Sequence, residues 1–479
     1  MSQLPDYVAS AVPNSQENRA GWLMTTAATY AGVMLWFVFW QQVPMGGQGI
    51  AGGTLSQGLG LAIGSLILAA LICHLLFYLA PGMLGMKTGL PLAVVGTSTY
   101  GVTGGFLMPG LLMGLLQFGW LSVNAYFSGL LLVSIGSVAE GSTIHLLVST
   151  IWALIAMFMG IMGIQYVGKI ASFMPIIPIA ILLLLLVKTI GNVGIFSVEK
   201  MLQAASEVAP ESKPITLYGS GMLGVLSLMG AYVIGFFATA GAAGVNFGCG
   251  NKDSKAVQLG GLVGIVLSTV FTGVIALLVV AGSQKLAIDS GQTVLLTECD
   301  VTKLFSLILG ENTAKICMFL LAFAAFPSAC FCTFIAAGCT KTSFPKINQW
   351  VSCGIGCAAA IFLVIFGYAK DAPAVFGVIG ASFGPICGAM AADYLLAGGK
   401  WAGPRAGFNP AGWLSWFFGF IVGGIGMVYP IFSGGAALPF EIPCPPLSAF
   451  VVGFVLYFIF AKVGLQSKVL DLPQRIDRQ

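Results

Sequence analysis

The chain has 479 residues, of which 58% are hydrophobic and only 8% charged, far below the roughly 25% charged that a soluble globular domain carries. It is expected to be an integral membrane protein. A net charge of +4 is too small to suggest a nucleic-acid partner, so the partners implied are a lipid bilayer and a small molecule.

Apolar runs of about 18 to 25 residues, the length that crosses a hydrocarbon core as a helix, recur along nearly the whole chain. They are continuously apolar rather than alternating, which excludes barrel strands and makes the fold class all-α. Breaks at Gly, Pro and charge clusters predict twelve spans, near residues 21–41, 57–80, 104–131, 143–165, 170–192, 217–245, 256–284, 314–338, 349–368, 373–397, 411–434 and 446–464. Residues 1–20 read as a polar tail carrying Asp6, Glu17 and Arg19, without the basic start and apolar stretch of a cleavable signal. Residues 465–479 form a second tail.

Charge orients the spans. One side receives most of the basic residues, among them Arg19, Lys87, Lys252, Lys255, Lys400, Arg405, Lys462 and Lys468, while Glu140, Glu199, Asp289, Glu311 and Asp371 fall on the other. The positive-inside rule then puts both termini in the cytoplasm of a multi-pass plasma (inner) membrane protein. The eleven cysteines lie mostly within spans, where a thiol behaves as a small apolar residue, and Cys330 and Cys332 lack the further ligands of a zinc site. His74 and His145 read as polar packing residues, with a proton-relay role as the alternative.

No GxxxxGK[ST], HExxH or GxSxG motif is present, so a nucleotide-driven pump or a membrane hydrolase lacks its parts and no enzyme is expected. The remaining classes are transporter, channel and non-transporting receptor. Sixty-five glycines, about one residue in seven against a typical one in fourteen, let helices approach closely and also let them break. The sixth span contains GFFATAGAAGVNFG (235–248), and the first has Ala31-Gly32 before MLWFVFW. Gly-interrupted spans in equivalent halves point to a transport site near the midplane. A five-plus-five inverted repeat is therefore expected, with repeats over 21–192 and 217–397, broken helices 1 and 6, and two extra helices over 411–464.

The third span carries a polar stripe. Gln117, Trp120, Asn124 and Ser128 are 3, 4 and 4 positions apart and share a helix face. Trp120 falls near the span centre, away from the interfacial belts where Trp usually sits. One reading is helix packing. The other is a ligand site, in which the indole stacks on a flat ring and amides read its polar edge without any charge. A nucleobase fits the second reading, and an isolated stripe does not line a channel.

Three segments then carry a family resemblance: residues 85–124 with KTGL and Gln-x-Gly-Trp (Gln117, Gly119, Trp120), the sixth span with the following FGCGNKDSKA, and GASFGPICGAMAADYLL (380–396). They are similar to the nucleobase:cation symporters, which include cytosine, purine, allantoin, hydantoin and thiamine permeases, and most closely to the cytosine permease branch. The resemblance implies a ring held between Trp120 and Phe237, or Phe236 if the alignment slips by one, with hydrogen bonds from Gln117 and Asn124. It also implies a cation near Ala31, Gly32 and Ser328. The chain is expected to act as a monomer without a cofactor, with Na+ or H+ as the coupling ion left open. The chain departs from the family's pattern in three places. TSTYG (97–101) has no Arg, Asn246 stands without a matching Arg, and LLAFAAFPSACF (320–331) offers only Ser328 as a hydroxyl. Poverty in oxygen ligands argues against a sodium site. Proton coupling would need a titratable group at the centre, where none is expected, because Asp393 lies toward the cytoplasmic end of its span as a structural carboxylate.

Overall fold

The computed structural model describes residues 4–23, 25, 52–162, 173–208, 221–292, 301–344, 346–434 and 438–472. After the short α1 (Asp6–Ala9) come α2 (Leu59–Thr88), α3 (Thr97–Ser134), α4 (Thr143–Met162) and α5 (Ile176–Ile195). The amphipathic α6 (Val198–Val208) leads into α7 (Gly221–Gly248) and α8 (Ser254–Asp289). There follow α9 (Val301–Leu309), α10 (Glu311–Ser343), α11 (Gln349–Ile365), α12 (Ala372–Leu396), α13 (Pro410–Phe432) and α14 (Pro445–Lys462). Among the described residues ten helices are long and apolar enough to cross a membrane, and α11 is a shorter apolar helix. Spans two to twelve of the sequence reading each have their helix. The first falls almost wholly outside the described residues.

The outer faces are apolar because lipid, not water, covers them. On α4, Leu147, Ile151, Leu154 and Phe158 form an exposed i, i+4, i+7, i+11 stripe. The opposite face buries Ser149, Ala153, Ala156 and Gly160. There Ser149 Oγ would lie 2.0 Å from a Cβ on Gly129, so only glycine lets α3 approach this closely.

Packing divides the helices into two units. α3, α4, α10 and α11 cross one another, whereas α7 packs on α2 and α12, and α8 on α2. α2 and α8 each contain one six-residue π-turn (Cys73–Tyr78 and Leu262–Leu267), and the two turns touch; a third, Phe106–Leu111, lies in α3. The long helices α3 and α10 pack together.

The interruption expected in the sixth span is absent from its dihedrals: Gly221–Gly248 runs as one helix. Its glycines serve close approach instead. A Cβ on Gly241 would stand 3.0 Å from Phe77 O, and one on Gly248 would stand 2.1 Å from Gly82 O. The breaks lie in the first part of α3, at Met108, with φ −128° and ψ 120°, and at Gly101, with φ 82° and ψ 164°. Gly407 O lies 2.2 Å from where its Cβ would be, so only glycine fits.

Both tails dock on one end of the bundle. Tyr7 donates to Val102 O at 2.5 Å, Asn14 N to Gly89 O at 2.9 Å and Arg19 Nη1 to Met86 O at 2.6 Å. Burial raises the Tyr7 phenol well above its ordinary pKa, so the hydroxyl remains a donor. At the other terminus, Leu470 N donates to Pro404 O at 2.7 Å.

Candidate functional site

Leu112–Ser134 is an uninterrupted stretch of α3 and carries the whole polar stripe. Its members divide between two neighbourhoods. Trp120 turns toward α7 and α12. Phe236 meets its ring edge to face at 4.7 Å and 79°, Phe376 lies over it at 5.0 Å and 32°, and the indole Nε1 donates to Thr239 Oγ1 at 3.3 Å. Phe237 is buried beside Phe236, with ring centroids 5.5 Å apart. The aromatic box thus joins α3 of one packing unit to α7 of the other.

Gln117 is buried one turn away, and among the described residues its Nε2 reaches only Met113 Sδ, at 3.6 Å. A thioether is a weak acceptor, so this amide gains little from the protein and can serve a ligand.

Asn124 is placed differently. Its Nδ2 donates to Ala325 O at 3.1 Å and Ser328 Oγ at 3.0 Å, while its Oδ1 accepts from Trp152 Nε1 at 3.1 Å and Ser128 Oγ at 3.4 Å. All four hydrogen-bonding positions of the amide are engaged: three hold α3 to α4 and α10, and the fourth, to Ser128, lies within α3. Ser328 is engaged as well, because its hydroxyl donates to Ala325 O at 2.7 Å. Ala31 and Gly32 lie outside the described residues. Among the described residues no cluster of His, Cys, Asp or Glu could hold a metal ion.

The uncharged TSTYG segment receives its charge from elsewhere in the chain. Arg405 Nε donates to Ser98 O at 2.8 Å, and its Nη2 reaches Asp393 Oδ1 at 3.4 Å. The same carboxylate accepts from Tyr457 at 2.7 Å, Ser98 Oγ at 2.7 Å and Thr99 Oγ1 at 3.4 Å. Asp393 is therefore a buried structural carboxylate, hydrogen-bonded on both oxygens, that ties α12 to α14 and to the start of α3. Asn246 also has a structural role, since its Oδ1 accepts from Leu92 N at 2.9 Å. His145 is buried between Gly141 N, which donates to Nδ1 at 3.0 Å, and Tyr126 O, 2.9 Å from Nε2. Gly141 can only donate, so Nε2 carries the proton and the ring packs as a neutral imidazole.

Sequence reasoning missed Phe376 and Thr239. Thr239 lies three residues after Phe236 on the same helix, so spacing could have found it. Phe376 lies just before the 380–396 segment, and its approach to Trp120 depends on how α12 crosses α3.

Solved structures share the fold of this chain over almost its whole length. Mhp1, a nucleobase-cation-symport-1 family transporter in a closed conformation with bromovinylhydantoin bound, is 14% identical with a TM-score of 0.65, over 99% of each chain. The inward-facing conformation of Mhp1 is 15% identical with a TM-score of 0.64, over 98% of this chain and 96% of that one. A substrate-bound, outward-open Na+-coupled sialic acid symporter is 13% identical with a TM-score of 0.59, over 98% and 93%. No protein-family model and no curated protein matches the chain. At these identities the likeness establishes the fold alone, the one these solved structures share.

Proposed function

We propose that this chain is a permease for a flat heterocycle, most simply a nucleobase such as cytosine or a purine, working by alternating access. The observation that carries the reading is the position of Trp120 at the junction of the two packing units, with Phe236 and Thr239 on α7, Phe376 on α12 and the weakly engaged Gln117 one turn away. These side chains are all uncharged, which suits a neutral ring that stacks and offers a polar edge. Relative movement of α3 against α7 would open and close such a site without covalent chemistry. The motifs that resemble the nucleobase:cation symporters, and cytosine permeases in particular, support the same substrate class. The basic end, where both tails dock, is assigned to the cytoplasm of the plasma membrane.

Uptake of labelled cytosine, uracil, purines, allantoin, hydantoin and thiamine into permease-deficient cells tests the proposal. Saturable uptake of a nucleobase, competed by its close analogues, is the expected result. Saturable binding without uptake would make the chain a receptor, and preference for allantoin, hydantoin or thiamine would change the substrate.

A further inference from the structure

His74 stands where the fold leaves a titratable group with nothing to do. The second helix was expected to end near residue 80, but it continues to Thr88, so His74 lies at the middle of a 30-residue span. It is 6% exposed and occupies the second position of the π-turn Cys73–Tyr78. Its Nδ1 is buried without a hydrogen-bond partner. A neutral imidazole always has either a proton to give or a lone pair to fill at that atom, so the arrangement carries a desolvation cost in either tautomer. An ionisable residue left in this condition inside a membrane span is a candidate functional group.

The surroundings define what the group could do. Nδ1 faces Gly261, the residue just before the π-turn of α8, and a Cβ on Gly261 would stand 2.5 Å from it. The ring stacks on Tyr78 at 5.9 Å and 25°, and the Tyr78 hydroxyl donates to Val257 O at 3.2 Å. Tyr78 also fills the space over Gly244 of α7, so one aromatic pair touches α2, α7 and α8. The nearest titratable groups are Cys73 and Tyr78 on α2 itself, with Cys387 of α12 and Cys444 at the start of α14 beside Cys73; the packed elements also carry Lys87 at the end of α2, Tyr232 on α7, Lys285 and Asp289 at the far end of α8, Asp393 and Tyr394 near the end of α12, and Tyr457 and Lys462 on α14. The charged residues of α8 nearest Gly261 are Asp253, which caps that helix, and Lys255, both at its start. No carboxylate faces the ring among the described residues.

We propose that His74 is a proton-binding site whose occupancy is coupled to the opening of the paired π-turns of α2 and α8. In the closed packing an imidazolium would be a buried charge without a counter-ion, so the proton binds in a state that lets water reach the turns. Coupling of this kind is reciprocal: acid favours the open turns, and opening favours the proton. The sign follows directly. The closed state is fully populated above the imidazole range and loses population as pH falls through it. The inference rests on the transporter reading for its physiological use, but the site itself can be measured without a substrate.

Hydrogen exchange of segments 73–78 and 262–267 in nanodiscs, compared between the wild type and His74→Gln at each pH from about 8 to about 5, reads the coupling. Comparison at matched pH removes the intrinsic pH dependence of exchange. The expected result is a several-fold loss of protection in the wild type at the acid end that His74→Gln does not show. His74→Phe, which keeps the stacking on Tyr78, should behave as the Gln variant does and controls for packing. Identical profiles in the wild type and both variants would overturn the proposal. Heterocycle binding measured on the same samples reports separately on the Trp120 site, so failure of the substrate reading would appear there and leave the exchange result intact.

Discussion

Trp120 and Thr239 are joined by a hydrogen bond from the indole Nε1 to Oγ1, at 3.3 Å, across the boundary between α3 and α7. Because α3 belongs to one packing unit and α7 to the other, this bond and the edge of Phe236 hold the indole in one orientation. Preorganisation of this kind lowers the entropic cost of binding a ring.

Replacing Trp120 by Ala should therefore abolish most of the binding while the protein still folds, since the side chain is only partly buried. Stacking of a base on an aromatic ring contributes about 1 to 3 kcal/mol, so affinity should fall roughly five- to a hundredfold. Equilibrium binding on purified protein checks this, and an unchanged affinity in a well-folded variant would remove Trp120 from the site.

Gln117→Leu keeps the side-chain volume nearly constant and forfeits only the weak contact to Met113 Sδ. Stability should change little, whereas discrimination between cytosine and uracil, or between related purines, should shrink because ligand groups are left unpaired. Competition assays across the panel measure the ranking. If the parent's ranking persists, the amide reads no ligand.

Sodium should have no effect on binding. Ser328 already donates to Ala325 O and accepts from Asn124, so the one hydroxyl in residues 320–331 is spoken for. Heterocycle affinity should be the same in sodium, potassium and choline, as linkage requires when no second ion site exists. A several-fold gain in sodium that disappears in Ser328→Ala would restore a sodium site.

The Asp393–Arg405 pair predicts a non-additive stability effect. Asp393→Asn leaves the Arg405 guanidinium buried without its counter-charge, and such a break costs about 3 to 5 kcal/mol. Adding Arg405→Met to Asp393→Asn should recover part of the loss, because the orphaned charge is then gone. Thermal unfolding of the two single variants and the double variant closes the cycle. A double variant as destabilised as the sum of the singles would show that the two residues act independently.

Span positions and the all-α class were legible in the sequence because a hydrocarbon solvent imposes one condition everywhere: every backbone polar group must be satisfied within its own segment, so length and apolarity suffice. Residues 104–131 and 373–397 were read as helices for that reason, and Thr97–Ser134 and Ala372–Leu396 are helices. The candidate site was legible only as a stripe. Spacing puts Gln117, Trp120 and Asn124 on one side of α3, but the helices that cross there decide their use, and these send Asn124 to α4 and α10 and Trp120 to α7 and α12. Glycine shows the same divide. In sequence the run 235–248 reads equally as a break or as a contact, since a missing Cβ permits both, and only the backbone of α2 lying against it makes it a contact. Arg405 filling the uncharged start of α3, and His74 meeting Gly261, join residues more than 180 apart in the chain. No local period encodes such meetings; they follow from how the two repeats pack.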